Sequence, residues 1–95
     1  MFVILLKFAE RRSRAAEFME AHREWIRRGF DDGAFMLVGS LGSGGGAILA
    51  AHTSMEAMQA RVAADPFVIE GVVAPEIHEI LPSQFDERLG FLKAA

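Results

Sequence analysis

The run Phe2-Val3-Ile4-Leu5-Leu6-Lys7-Phe8 constrains this chain more than any other feature of it. β-branched and aromatic residues dominate the run, and successive side chains of a strand point to opposite faces. Phe2, Ile4, Leu6 and Phe8 thus share one face, and Val3 and Leu5 the other, so both faces are apolar. Such a strand belongs in the interior of a sheet that is covered on both sides. A second block repeats the pattern, with Ile48 and Ala50 on one side and Leu49 and Ala51 on the other. The chain's 95 residues, 52% hydrophobic and 24% charged, exclude intrinsic disorder and fit one domain.

After a charged break at Glu10–Arg12, Ser13 is placed to cap a helix. Phe18, His22, Trp25, Ile26 and Gly29 then recur at helical spacing, with Gly29 as the expected stop and Phe30–Gly33 as a turn. Phe35–Leu41 reads as a second strand and Ala47–His52 as a third, joined into a hairpin by the glycine-rich 42–46. Thr53 or Ser54 caps a second helix striped by Met55, Met58 and Val62. That helix should stop near Asp65, because proline disfavours helical geometry in the residue before it. Pro66–Gly71 allows one further turn. Glu76–Leu81 is the expected fourth strand, ended by Pro82.

This βαββαβ order predicts an α+β, ferredoxin-like domain over 1–82. Its four-stranded antiparallel sheet has the first and third strands in the centre and both helices on one face. Two helices cannot cover both apolar faces, and a bare sheet face would exceed the patch a small monomer tolerates. The economical solution is a homodimer packed sheet to sheet, each copy covering the other. Residues 83–95 form a tail in which Phe85, Leu89, Phe91 and Leu92 are spaced for a short helix. That tail is expected at the edge of the dimer or at a higher oligomeric contact; the competing reading has it fold back over the open face alone.

Ten basic and thirteen acidic side chains give a formal charge of −3, and the arginines at 11, 12, 14, 23, 27 and 28 are interleaved with Glu17, Glu20 and Glu24. No basic stripe results, which argues against nucleic acid. The absence of cysteine removes disulfides, thiol nucleophiles and thiolate metal sites, as expected of a cytoplasmic protein. Phe2–Leu6 is too short for a membrane span, and charges follow it at once.

His22 is the first candidate for chemistry. It lies one turn after Phe18 and one turn before Trp25 and Ile26, beside the buried stripe, where a solvated face would carry Arg or Glu. The plain reading is a boundary histidine bonded to a carbonyl or to water. Asp65, in Ala64-Asp65-Pro66-Phe67, is a ready helix cap before a proline at the first helical position. Its functional reading is the orientation of an imidazole from the first helix, which would fix the nitrogen carrying the proton. Together they are the minimum equipment for moving a proton on a small substrate. Ser40, at the end of the second strand, is placed to donate a hydrogen bond into a cleft.

Gly42-Ser43-Gly44-Gly45-Gly46-Ala47 loosely matches a dinucleotide fingerprint, but a strand follows it and no helix N-terminus faces a pyrophosphate. His52 and His78 share no metal-ligand spacing with His22, so no metal is expected.

These elements resemble the YCII-related (YciI-like) family of the dimeric α/β-barrel group. The resemblance runs from the first strand through Pro82. It rests on the N-terminal β block, His22, Gly33 before Phe35-Met36-Leu37-Val38-Gly39, Ser54-Met55-Glu56-Ala57, Asp65-Pro66-Phe67 and Glu76-Ile77-His78. It implies a ferredoxin-like protomer, a homodimer, and a site at a dimer cleft on a His–Asp pair, mapping onto His22 and Asp65. It further implies lyase, dehalogenase or isomerase chemistry on a small, aromatic metabolite without a cofactor. Ser40 departs from the family pattern, where proline usually follows the glycine. The competing class is a non-catalytic dimeric module that binds a metabolite or a partner protein.

Overall fold

A computed structural model describes residues 1–94. Strand β1 (Phe2–Phe8) leads through a 3-10 turn (Arg12–Arg14) into α1 (Ala15–Asp31), and β2 (Phe35–Ser40) and β3 (Gly46–Ala50) form a hairpin. Helix α2 (Met55–Ala63), the single turn α3 (Pro66–Ile69) and β4 (Val73–Glu79) complete the domain, and a 3-10 segment (Glu87–Ala94) follows. The strand order is β2-β3-β1-β4 and every neighbouring pair is antiparallel, so β1 and β3 are central as expected for the ferredoxin-like fold.

The alternation in β1 decides where the core lies. Phe2, Ile4 and Leu6 are buried, pair with Ala50, Ile48 and Gly46 of β3, and pack with Trp25 of α1, Met58 and Val62 of α2, and Phe67 of α3. Val3 and Leu5 face the other way, opposite Leu49 and Ala47, and are only half-buried. Leu37 extends that open face from β2 and is 51% exposed. Phe8 shares the core face by pairing with Val73 yet is 42% exposed, because it stands where the helices no longer cover the strand.

Several boundaries differ from the sequence expectation, each for a physical reason. Ser13 lies inside the 3-10 turn and caps nothing; α1 starts at Ala15 without a side-chain cap, and Arg14 instead pairs with Glu17 at 2.8 Å. Gly29 does not end α1. It is buried inside the helix because the Phe35 ring packs directly on it, where a Cβ would fall 2.1 Å from a ring carbon. The helix stops at Gly33, whose φ of 72° lets its N–H reach the Phe30 carbonyl while the Ala34 N–H reaches that of Gly29. Strand β4 begins at Val73, not Glu76, and ends at Glu79. Pro75 is tolerated inside it because β4 is an edge strand, paired only with β1. The second and third strands end one or two residues short of expectation, at Ser40 and Ala50.

Ser54 caps α2 by accepting the Ala57 N–H at 3.1 Å. In the C-terminal segment Leu92 is 8% exposed, while Phe85, Leu89 and Phe91 are at 36%, 44% and 59%. No helix among the described residues is long and apolar enough to cross a membrane.

Candidate active site

Helix α1 carries His22 at the boundary of its buried face, and the break between α2 and α3 carries Asp65. The two meet across the helix layer. His22 Nδ1 lies 2.7 Å from Asp65 Oδ1, with the carboxylate fully buried and the imidazole 12% exposed. The aspartate is fixed twice. Its Oδ1 also accepts the Phe67 N–H at 3.0 Å, capping α3 behind a proline at the first helical position. Its other oxygen, Oδ2, is sealed from solvent and has no hydrogen-bond partner among the described residues. An ionised carboxylate only accepts hydrogen bonds, so Nδ1 carries the proton and Nε2 is left as the nitrogen open to a ligand.

The imidazole plane is set by stacking. It lies on the Phe67 ring with centroids 3.9 Å apart and planes 5° from parallel, and the Trp25 ring is 5.8 Å away. Trp25 is itself held by its indole N–H donating to the Arg61 carbonyl at 2.9 Å. The ring is therefore constrained by one hydrogen bond and two aromatic neighbours before any ligand arrives.

His22 forms part of the wall of a cavity of about 370 Å³ between α1 and the strand ends. Leu6, Met19, Ile26 and Ile48 supply apolar surface, together with the rings of Phe8 and Phe67. Gly39, Gly45, Gly46 and Ala47 form the strand side, and a Cβ at Gly39 would meet nothing within 4 Å. The glycine tract is thus a hairpin loop, as expected, and its Gly45 and Gly46 also line the cavity. Its size is that of a small-molecule site.

Ser40 lines the same cavity from the end of β2 and is exposed, so three residues singled out in the sequence fall in one neighbourhood, with Asp65 behind the imidazole. His52 and His78 do not join them. His52 borders a separate recess beside Asp32 and Arg61, and His78 sits exposed on β4 opposite Val3. Among the described residues no three His, Asp or Glu side chains converge as a metal site would require. Sequence reasoning missed Arg23 and the Phe67 ring as parts of the site. Phe67 was visible as the last letter of Asp-Pro-Phe; Arg23 sat unremarked among alternating helix charges.

No family model matches the sequence, and no curated protein matches it. Among solved structures, the chain is similar to the 5-chloro-2-hydroxyhydroquinone dehydrochlorinase TftG from Burkholderia phenoliruptrix AC1100, determined in complex with 2,5-dihydroxybenzoquinone. The TM-score is 0.68 at 15% sequence identity, over 84% of this chain and 93% of the other. A likeness at that identity establishes a shared fold.

Proposed function

We propose that this chain is a small, cofactor-independent enzyme of the YciI-like, dimeric α/β-barrel type. In this reading it acts by general acid/base chemistry on a small aromatic metabolite, in the manner of a lyase, dehalogenase or isomerase. The observation that carries the reading is the 2.7 Å contact between His22 Nδ1 and a fully buried carboxylate, on a histidine that walls a cavity. Asp65 holds the tautomer and balances the charge when Nε2 accepts a proton, the division of labour of a carboxylate–imidazole pair. A fold shared with a dehydrochlorinase points the same way.

On a hydroxylated ring, Nε2 takes a hydroxyl proton and returns it to a ring carbon. A halide on that carbon then leaves with its bonding pair as a second hydroxyl proton is lost, so hydrogen halide departs overall. The apolar wall holds the ring and Ser40 donates to a ring oxygen. Residues 1–82 form the catalytic domain in this reading. A second copy, sheet to sheet, covers Val3, Leu5, Leu37 and Leu49, and the C-terminal tail trims that contact. The protein works in the cytoplasm.

The test is chloride release from chlorinated hydroquinones. His22→Gln and Asp65→Asn should each lower the rate by roughly 10²–10⁴ while the fold is kept, the contribution expected of a positioned proton carrier. Equal rates in wild type and His22→Gln would dismiss the proposal.

A further inference from the structure

The cavity wall is unbalanced in charge. Of the side chains that line it, only His22, Arg23 and Ser40 are polar, and no Asp or Glu is among them. Among the described residues Arg23 is the one permanently charged group of this wall, and it follows His22 directly on α1. Its present engagement is weak. The guanidinium touches Glu20 at 3.4 Å, on a pair whose side chains are 67% and 93% exposed, so the contact contributes little. A second positive charge lies near the wall without lining it: the Arg12 guanidinium is 4.5 Å from the centre of the Phe8 ring, and Phe8 lines the cavity. Among the described residues Arg12 forms no ion pair with a carboxylate.

We propose that this cavity selects an anion, a planar apolar body bearing one carboxylate or phenolate oxygen, and that Arg23 is the residue that recognises its charge. The inference rests on reading this cavity as the ligand site of the His22–Asp65 pair, and it adds the ligand's charge and the residue that reads it. The apolar floor takes the ring, and the anionic oxygen meets the guanidinium at the mouth. A planar fork of N–H donors suits a carboxylate better than a point charge does. As the ligand seats, it displaces water from an arginine that has only a loose competitor in Glu20. A neutral ligand of the same shape gains the floor and leaves the charge unanswered. A cation meets Arg23 and Arg12 with no carboxylate on the cavity wall to offset them.

Benzoate and its neutral isostere benzamide separate these cases when titrated into the protein by calorimetry or by ring-current shifts of Phe67. In wild type, benzoate should bind roughly tenfold more tightly than benzamide. Arg23→Gln should remove that preference and leave benzamide binding unchanged, and Arg23→Lys should restore part of it. Arg28→Gln removes an equal charge from an exposed position of α1 outside this wall and should leave the preference intact. Glu20→Gln should tighten benzoate alone. Equal affinities in wild type, a preference that survives Arg23→Gln, or no binding of either compound would overturn the proposal. Asp65→Asn keeps its failure apart from that of the acid/base reading. Anion preference that persists in Asp65→Asn with no proton chemistry in wild type rejects only the catalytic reading. Turnover that depends on His22 but is indifferent to ligand charge rejects only the role of Arg23.

Discussion

Asp65 does two jobs with one oxygen, and its substitutions separate them. Asp65→Ala strips the cap from the Phe67 N–H and the partner from His22 Nδ1, both in a buried setting. A loss of about 2–4 kcal/mol is expected by urea unfolding. Asp65→Asn is milder for the fold and decisive for the chemistry. Its amide oxygen can take the place of Oδ1 and accept from Nδ1–H and the Phe67 N–H alike, but it carries no negative charge to balance an imidazolium. Two-dimensional ¹⁵N–¹H spectra of the His22 side chain should show the Nδ1–H form in wild type and a loss of that preference in Asp65→Ala, which removes the acceptor. The same form in both would mean that Asp65 does not orient the ring. Asp-Pro-Phe was legible as a capped turn, since capping is local chemistry. The meeting of Asp65 with an imidazole 43 residues earlier was not, because sequence spacing carries no information on how two helices are laid side by side.

At the scale of elements, Gly29 shows how a local rule is overridden. Helix propensity alone makes Gly29→Ala stabilising by up to about 1 kcal/mol. The Phe35 ring leaves no room for the methyl, with contacts as short as 2.1 Å, and Phe35 is already held edge-on by Trp25 and Phe30. Overpacking should win, for a net destabilisation of about 1–3 kcal/mol. The double variant Gly29→Ala, Phe35→Leu should recover most of it in denaturant titrations. Where the sheet meets solvent, charge governs. Lys7 bridges β1 to Glu76 of β4 at 2.6 Å, and its hydrogen bond holds the Glu76 carboxyl below the ordinary glutamate range. A lowered folded value means the pair stabilises the fold above the unfolded value of about 4.3. That contribution fades as pH falls through the lowered one. The gap in melting temperature between wild type and Glu76→Gln should therefore close under acid; a gap unchanged across that range would remove the pair's role.

For the whole molecule, the proposed dimer turns on the sheet face opposite the helices. Leu5 and Leu49 both belong to it, on the two central strands. In a sheet-to-sheet dimer, Asp at either position buries an unpaired charge, worth several kcal/mol against association. Analytical ultracentrifugation should find dimers of the wild type, and monomers or insoluble protein for Leu5→Asp and Leu49→Asp. Soluble dimers of both variants would assign the interface elsewhere. The alternation that identifies this face was readable from residues 2–8, because a strand's period of two is set by the backbone. What covers the face is a property of an assembly.

The sequence by itself determined the order of elements, the two central strands and the face of each that turns inward. These follow from backbone periodicity, from capping chemistry and from the refusal of proline and glycine to continue regular structure. The tertiary fold alone decided three things. Gly29 became a seat for an aromatic ring, the end of a glycine tract became part of a cavity wall, and His22 and Asp65 came within one hydrogen bond. Each depends on distances between segments remote in the chain, and those distances are fixed only when the helices pack onto the sheet.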